Sequence, residues 1–359
     1  MSAMQINGLG LVGGFGCGCN DLQQALLKGS APLSQVELRG HQFPLLQADT
    51  APLETYLNKR ALRRIDHFSR LALLGAFEAM ADADLGGIDP NRIGLVIGSG
   101  YGALRTTFKF LDSVLDDGDT CASPTAFSNS VHNAAAAHIS IQLKMTGPSL
   151  TLSQFDQSLV SGLFSAQQWL AEKRVDAVLL GVVDEYCSVL GYCWERYFGN
   201  QGAGLMTPLD FTRTSAVAGE GAAFFLLQPE SETNPKYGSI INVETGNLSG
   251  SHPTTGTSQP LILGCEGSPL SGSVYQQQVS DKQPVACYTP LYGASPVTQG
   301  FDLAVAALAL QSQQLYPSTD NGGNYYPGNV INEAQECTQL SCLRFGINGE
   351  YAAIHMGRG

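Results

Sequence analysis

The run Ser149 to Val183, SLTLSQFDQSLVSGLFSAQQWLAEKRVDAVLLGVV, changes periodicity twice. Ser149 to Ser153 is short and rich in β-formers, which predicts a strand. Leu159, Leu163, Ala166 and Leu170 recur at helical spacing, so Gln157 to Lys173 predicts a helix with one apolar stripe. Val175 to Val183 is then a nearly unbroken aliphatic run, the pattern of a strand buried on both faces. Strand, helix and strand in immediate succession form a crossover unit, and such units build parallel sheets.

The alternation continues outward in both directions. Upstream, Ile93 to Gly98 is another continuous apolar strand, and Leu104 to Leu115 and Val131 to Leu143 read as helices. Thr55 to Ala83 reads as one long helix. It follows a loop rich in Pro and Gln, a helix over Asp21 to Lys28, and an opening strand, Met4 to Val12. Downstream, Ala222 to Leu227, Ile240 to Glu244 and Leu261 to Gly264 read as strands, and Ser268 to Val279 and Phe301 to Gln311 as helices. Cys342 to Phe345 and Ala352 to Met356 form a closing hairpin. The fold class expected is α/β with a mostly parallel sheet, in two loosely similar halves, 1–230 and 231–359, within one compact unit.

Composition narrows the function. A net charge of −12 and a pI near 4.8 argue against a general nucleic-acid or anionic-membrane binder. Charged residues are only 14% against 43% hydrophobic, which points to surface covered by layered packing or by a subunit partner. Nine scattered cysteines make neither a disulfide framework nor a paired zinc motif. They read as small buried hydrophobes in a reducing cytosol, with no metal and no cofactor. No run of apolar residues is long enough to span a bilayer, so a cytoplasmic protein is expected.

Several segments, in order along the chain, carry a resemblance. They are Leu62 to Ala72 (LRRIDHFSRLA), Arg92 to Gly102 (RIGLVIGSGYG), Ser123 to Ile139 (SPTAFSNSVHNAAAAHI), the Gly147-Pro148 pair, and Val175 to Glu185 (VDAVLLGVVDE). Gly219-Glu220-Gly221-Ala222 and Phe345-Gly-Ile-Asn-Gly349 complete the set. Together they resemble the β-ketoacyl synthase family, which implies a thiolase-like layered αβαβα fold with two pseudo-repeated halves. The family condenses acyl groups on a cysteine thiolate at a helix N-terminus, assisted by two histidines.

The resemblance also shows what is vacant. The family's cysteine lies nine residues after the glycine of the Gly-Pro pair, and counting from Gly147 reaches Asp156. An acyl-aspartate would be a reactive anhydride and cannot store an acyl group. Asp156 reads instead as an N-cap of the helix that follows. Cys265 stands at the first histidine's place, Ala294 at the second's, and Thr289 at that of an upstream lysine. Only His252 and His355 of the six histidines follow Asp156, and they read as a surface residue and a strand residue.

These vacancies resemble chain length factors, which pair with an active β-ketoacyl synthase in type II polyketide systems. The segment Ser123 to Asn133 is similar to the bacterial aryl polyene type. The better-known factors carry Gln in the cysteine's place, and here Gln157 is adjacent to it. The resemblance implies an acyl tunnel and dimer interface built from Phe108, Leu111, Thr125, Ala126, Phe127 and Asn129. It also implies an acyl carrier protein as partner, met mainly through the active subunit. Lys59, Arg60, Arg63, Arg64 and Arg70 form a basic cluster suited to that acidic carrier or to a solvated helix face. Two other readings remain open: a malonyl-carrier decarboxylase or an acyltransferase using Cys265, and a homodimeric acyl-binding scaffold.

Overall fold

The computed structural model describes residues 3–83, 87–198, 205–231, 235–254, 258–323 and 325–358. Ten principal strands join one sheet. They are β1 (Met4–Gly13), β2 (Ile93–Ser99), β3 (Ser149–Ser153), β4 (Ala177–Asp184), β5 (Gly221–Pro229), β6 (Ser239–Asn247), β7 (Leu261–Leu263), β8 (Pro284–Ala286), β9 (Gln339–Phe345) and β10 (Glu350–Gly357). The spatial order is β3-β2-β4-β5-β1 in the first half and β8-β7-β9-β10-β6 in the second. In each half the first three strands run parallel and the last two join antiparallel. The same strand order and directions therefore occur twice. The halves meet where Met4 and Gln5 pair with Ile240 and Ser239.

Nine helices of seven residues or more layer this sheet, among the described residues: α1 (Gly18–Lys28), α2 (His67–Asp82), α3 (Leu104–Asp117), α4 (Pro124–Ser130), α5 (Ala134–Leu143), α6 (Ser158–Ala171), α7 (Ser188–Phe198), α8 (Pro269–Gln278) and α9 (Thr298–Ser312). α6 and α9 pack against strands of both halves and form the central layer. Every residue of α9 from Thr298 to Leu310 is buried, which explains the unbroken apolar run Leu303 to Leu310. α2 and α5 cover the outer face of the first half. A side chain at Gly10 of β1 would place Cβ 1.9 Å from the Gly75 carbonyl oxygen of α2, so this close approach requires glycine.

Local differences from the sequence expectation have local causes. Thr55 to Ala83 is not one helix. A 3₁₀ turn (Ala51–Thr55) and one helical turn (Lys59–Leu62) precede α2, because Asn58 and Asp66 cap their own N-termini by accepting from Ala61 N and Ser69 N. Val131 to Leu143 is helical only from Ala134, as α5, and a separate short helix, α4, ends just before it at Ser130. The stretch taken as a loop holds a hairpin, Ser34–Leu38 with His41–Leu46, closed by Arg39 and Gly40 at φ 53° and 81°. Arg70 is not a surface cation: Nε and Nη2 donate to the Ile65 and Leu62 carbonyls at 3.0 and 2.6 Å. No helix among the described residues is long and apolar enough to cross a membrane.

Candidate functional site

A cavity of about 780 Å³ opens beyond the carboxyl ends of β2, β3, β7 and β9. Ligand sites gather at this end of open α/β sheets because the loops there diverge. Asp156, Glu266 and Arg344 sit in its lining, with Phe155, Trp194 and Phe345 among the walls.

Between β3 and α6 the chain makes a 3₁₀ turn, Phe155–Gln157, with Phe155 held at φ 47°. That conformation is strained for an aromatic residue. It leaves the Phe155 ring 61% exposed, edge-on to Tyr101 at 5.8 Å between centroids. Asp156 does not cap α6, whose N-cap position is Gln157, and the Gln157 side chain makes no capping bond but accepts from Thr245 Oγ1 at 2.8 Å. Its Oδ1 instead accepts from Arg344 Nη2 at 2.7 Å, across 188 residues of sequence. Arg344 ends β9 at 2% exposure, donates to the Gly264 carbonyl at 3.3 Å, and lies 3.6 Å from Glu266 Oε2. Burial by itself lowers the pKa of this guanidinium, but Asp156 and Glu266 override that and the net shift is upward. Burial raises the Glu266 carboxyl, with Arg344 opposing.

Of the positions read as vacant catalytic places, only Asp156 reaches the cavity. Cys265 turns into the core under β7 at 1% exposure, and burial pushes its thiol well above the ordinary range. Its neighbour Glu266 faces the cavity in its stead, a one-residue difference that side-chain direction decides and counting does not. Ala294 and Thr289 are buried beneath the site, and the Thr289 hydroxyl lies 3.5 Å from the Cys287 sulfur. Of the tunnel positions, Phe108 lines the cavity; Leu111, Thr125 and Phe127 are exposed on α3 and α4, and Ala126 is half-buried. Asn129 is buried, donating to the Arg64 carbonyl at 2.8 Å with Oδ1 3.3 Å from His138 Nε2.

His252 is exposed and faces Gln278 at 3.0 Å, and His355 lies in β10 at 2.9 Å from Ser341 Oγ. The cysteines are not uniformly buried: Cys121 and Cys193 are exposed, and Cys193 lines the cavity from α7. Arg344 and Glu266 escaped the sequence reading. A cation inside the otherwise apolar strand Gln339–Phe345 was the available signal.

A family model for the β-ketoacyl synthase N-terminal domain matches residues 39–233, more than half of the chain. The chain belongs to the β-ketoacyl synthase family. This ketosynthase-like chain is 26% identical over 251 residues to the 3-oxoacyl-[acyl-carrier-protein] synthase 2 of Coxiella burnetii, covering 67% of this chain and 60% of that protein. It is 30% identical over 195 residues to a putative polyketide β-ketoacyl synthase 1 of Streptomyces virginiae, covering 51% and 46%. The match thus spans about half of these relatives' own lengths. Its fold is that of the ishigamide ketosynthase/chain length factor, with TM-score 0.81, 14% identity and coverage of 100% and 99%. A type II polyketide acyl-carrier protein in complex with its ketosynthase bound to the hexaketide superposes with TM-score 0.79 at 14% identity over 100% of both chains.

A second buried cluster stands at the carboxyl end of β4 in this ketosynthase-like chain. Asp184 accepts from Ser99 Oγ and the Gly100 and Tyr101 amides at 2.7, 2.9 and 2.9 Å, fixing the glycine turn after β2. Glu185 accepts from Arg105 N at 2.9 Å, and Glu220 of the Gly-Glu-Gly-Ala segment accepts from Tyr186 N at 2.9 Å and lies 3.0 Å from His67 Nε2. Burial raises Glu185 from 4.5 to about 7, and Asp184 and Asp302 from 3.8 to about 6. Between those values the folded chain holds protons that the unfolded chain has released. The contribution of these three groups to stability is therefore greatest below about pH 4 and declines as pH rises through 7. Glu185→Gln keeps the acceptor for Arg105 N and removes the charge. It is expected to match the parent near pH 5 and exceed it at pH 8 by roughly 1–3 kcal/mol in urea unfolding. Equal stability at both pH values would refute this.

Proposed function

We propose that this chain is a non-condensing, chain-length-factor-like subunit that pairs with a cysteine-bearing β-ketoacyl synthase, of the bacterial aryl polyene type, in the cytoplasm. The observation that carries the reading is Asp156 at the head of α6, tied to the buried Arg344. A carboxylate at that point cannot carry an acyl thioester, and its charge is already committed. The acyltransferase reading lacks a nucleophile at Cys265, because that thiol is buried and its pKa raised. The decarboxylase reading lacks a free cation or imidazole for the enolate among the described lining residues, since Arg344 already serves two carboxylates.

Pairing is assigned to the face built by α3, α4 and α5. The growing acyl chain, delivered on a carrier protein through the active subunit, ends against Phe108, Leu111, Thr125, Ala126, Phe127 and Asn129. The exposed cations Arg60, Arg63 and Arg64 are available to the acidic carrier. We divide the chain at 230/231, between β5 and β6.

Co-expression with the cysteine-bearing synthase and its carrier tests the reading. A 1:1 complex is expected, forming product with parental turnover when this subunit carries Asp156→Asn. Phe127→Ala or Phe108→Ala lengthens the product and Ala126→Trp shortens it, each methylene admitted being worth about 0.8 kcal/mol of binding. Synthesis that stops in an assembled Asp156→Asn complex gives Asp156 a chemical role and overturns the proposal. A homodimer that ignores the synthase makes the chain a scaffold.

A further inference from the structure

We propose that the cavity above Asp156 is a binding site for a small organic cation, an ammonium head on an apolar or aromatic body. This goes beyond the pairing role and stands or falls independently of it. Three carboxylates line the cavity, Asp156, Glu266 and Glu350, against one guanidinium, Arg344. Arg344 Nη2 is shared between Asp156 at 2.7 Å and Glu266 at 3.6 Å, so its charge is spent. Glu350 accepts from Asn348 N and Nδ2 at 3.1 and 3.2 Å, contacts that bring no cation. The lining is therefore negative by two.

Asp156 Oδ2 makes no hydrogen bond to a described residue, and the Asp156 and Glu266 side chains keep 31% and 23% of their surface open. The buried Nε of Arg344 has no hydrogen-bond partner among the described residues. Around this floor stand Tyr101, Phe108, Phe155, Trp194, Tyr197 and Phe198. Aromatic faces attract a cation and give an apolar body its contact surface, and the effect grows as water is displaced. An anion meets the reverse field and loses its hydration without compensation. A volume of about 780 Å³ accommodates a small molecule of this kind.

Three probes of one chain length and different head charge decide the matter: octylammonium, octanamide and octanoate. They are titrated calorimetrically into the full chain, or into its complex with the synthase where one forms. Octylammonium is expected to bind at least tenfold tighter than octanoate, with octanamide between them. The double variant Asp156→Asn/Glu266→Gln leaves Arg344 unopposed and should reverse that order. Glu350→Gln leaves both partners of Arg344 in place and should narrow the ratio two- to threefold, which keeps the test open if the double variant does not fold. Octanoate binding as tightly as octylammonium to the parent chain overturns the proposal. So does a ratio unmoved by either variant, or no octylammonium binding at millimolar concentration.

Discussion

Asp156→Cys is expected to give a chain that is alkylated by iodoacetamide and still does not condense acyl groups. The substitution sets a thiol at the head of the fourteen-residue helix α6, where orphan amides and the helix dipole favour the thiolate. Nothing else of the chemistry returns with it. Cys265 and Ala294 are the residues expected at the two histidine places, both are buried, and the Glu266 carboxylate in the cavity lining repels a developing enolate. Losing one such donor costs about 10²–10³ in rate. Condensation by the variant should therefore fall at least ~10³ below that of the paired synthase, measured as product per labelled thiol. A rate within tenfold of the synthase would sink the non-condensing reading.

The same substitution removes a carboxylate from a buried guanidinium. Asp156→Ala should cost about 2–3 kcal/mol, somewhat below the usual penalty for breaking a buried pair because Glu266 remains and Asp156 is partly exposed. A lost helix cap would cost only about 1 kcal/mol. Arg344→Met in the Asp156→Ala background should recover most of the difference, and a double-mutant cycle measures the coupling directly.

Leu115→Asp combined with Phe127→Asp is expected to abolish pairing with the synthase. No residue of α3 is buried in the isolated chain, and Leu115 and Phe127 are 81% and 57% exposed. Leu111 of α3, Val131 between α4 and α5, and Ile141 of α5 are exposed as well. Exposed apolar side chains gathered on neighbouring helices suit an interface, and obligate interfaces are the most apolar class. Two buried charges at its centre should weaken association more than ~10²-fold, while circular dichroism of the variant stays close to parental because both side chains are mostly exposed and Phe127 packs, among the described rings, only on Phe110 at 5.5 Å between centroids. The unpaired parent chain should aggregate at micromolar concentration. Light scattering after size exclusion separates the outcomes. A heterodimer that persists with both aspartates in place removes α3 and α4 from the interface.

Sequence legibility followed the range of the interactions. The strands around Ile93–Ser99 and Ala177–Asp184, and the helix Thr298–Ser312, were readable because burial on all sides leaves continuous apolar runs. Asn58 and Asp66 were readable in principle as caps, but the apolar continuity of Thr55 to Ala83 masked them. The Asp156–Arg344 pair was invisible to local reading. Asp before an apolar helix has the same sequence signature whether it caps that helix or meets a strand 188 residues later. Glu266 was missed for a geometric reason. Beyond β7 the chain enters a turn through Gly267 at φ 78°, and only the backbone path decides which of two neighbouring side chains faces the cavity.

The pairing of Asp156 with a guanidinium from the far end of the chain also bears on descent. Placing a cysteine at 156 in one step leaves Arg344, 2% exposed, with a single carboxylate partner at 3.6 Å. Replacing Arg344 first leaves two carboxylates facing each other without a cation. Either order passes through a less stable intermediate, so exchanging Asp156 for cysteine without loss of stability takes two coordinated changes 188 residues apart in the chain.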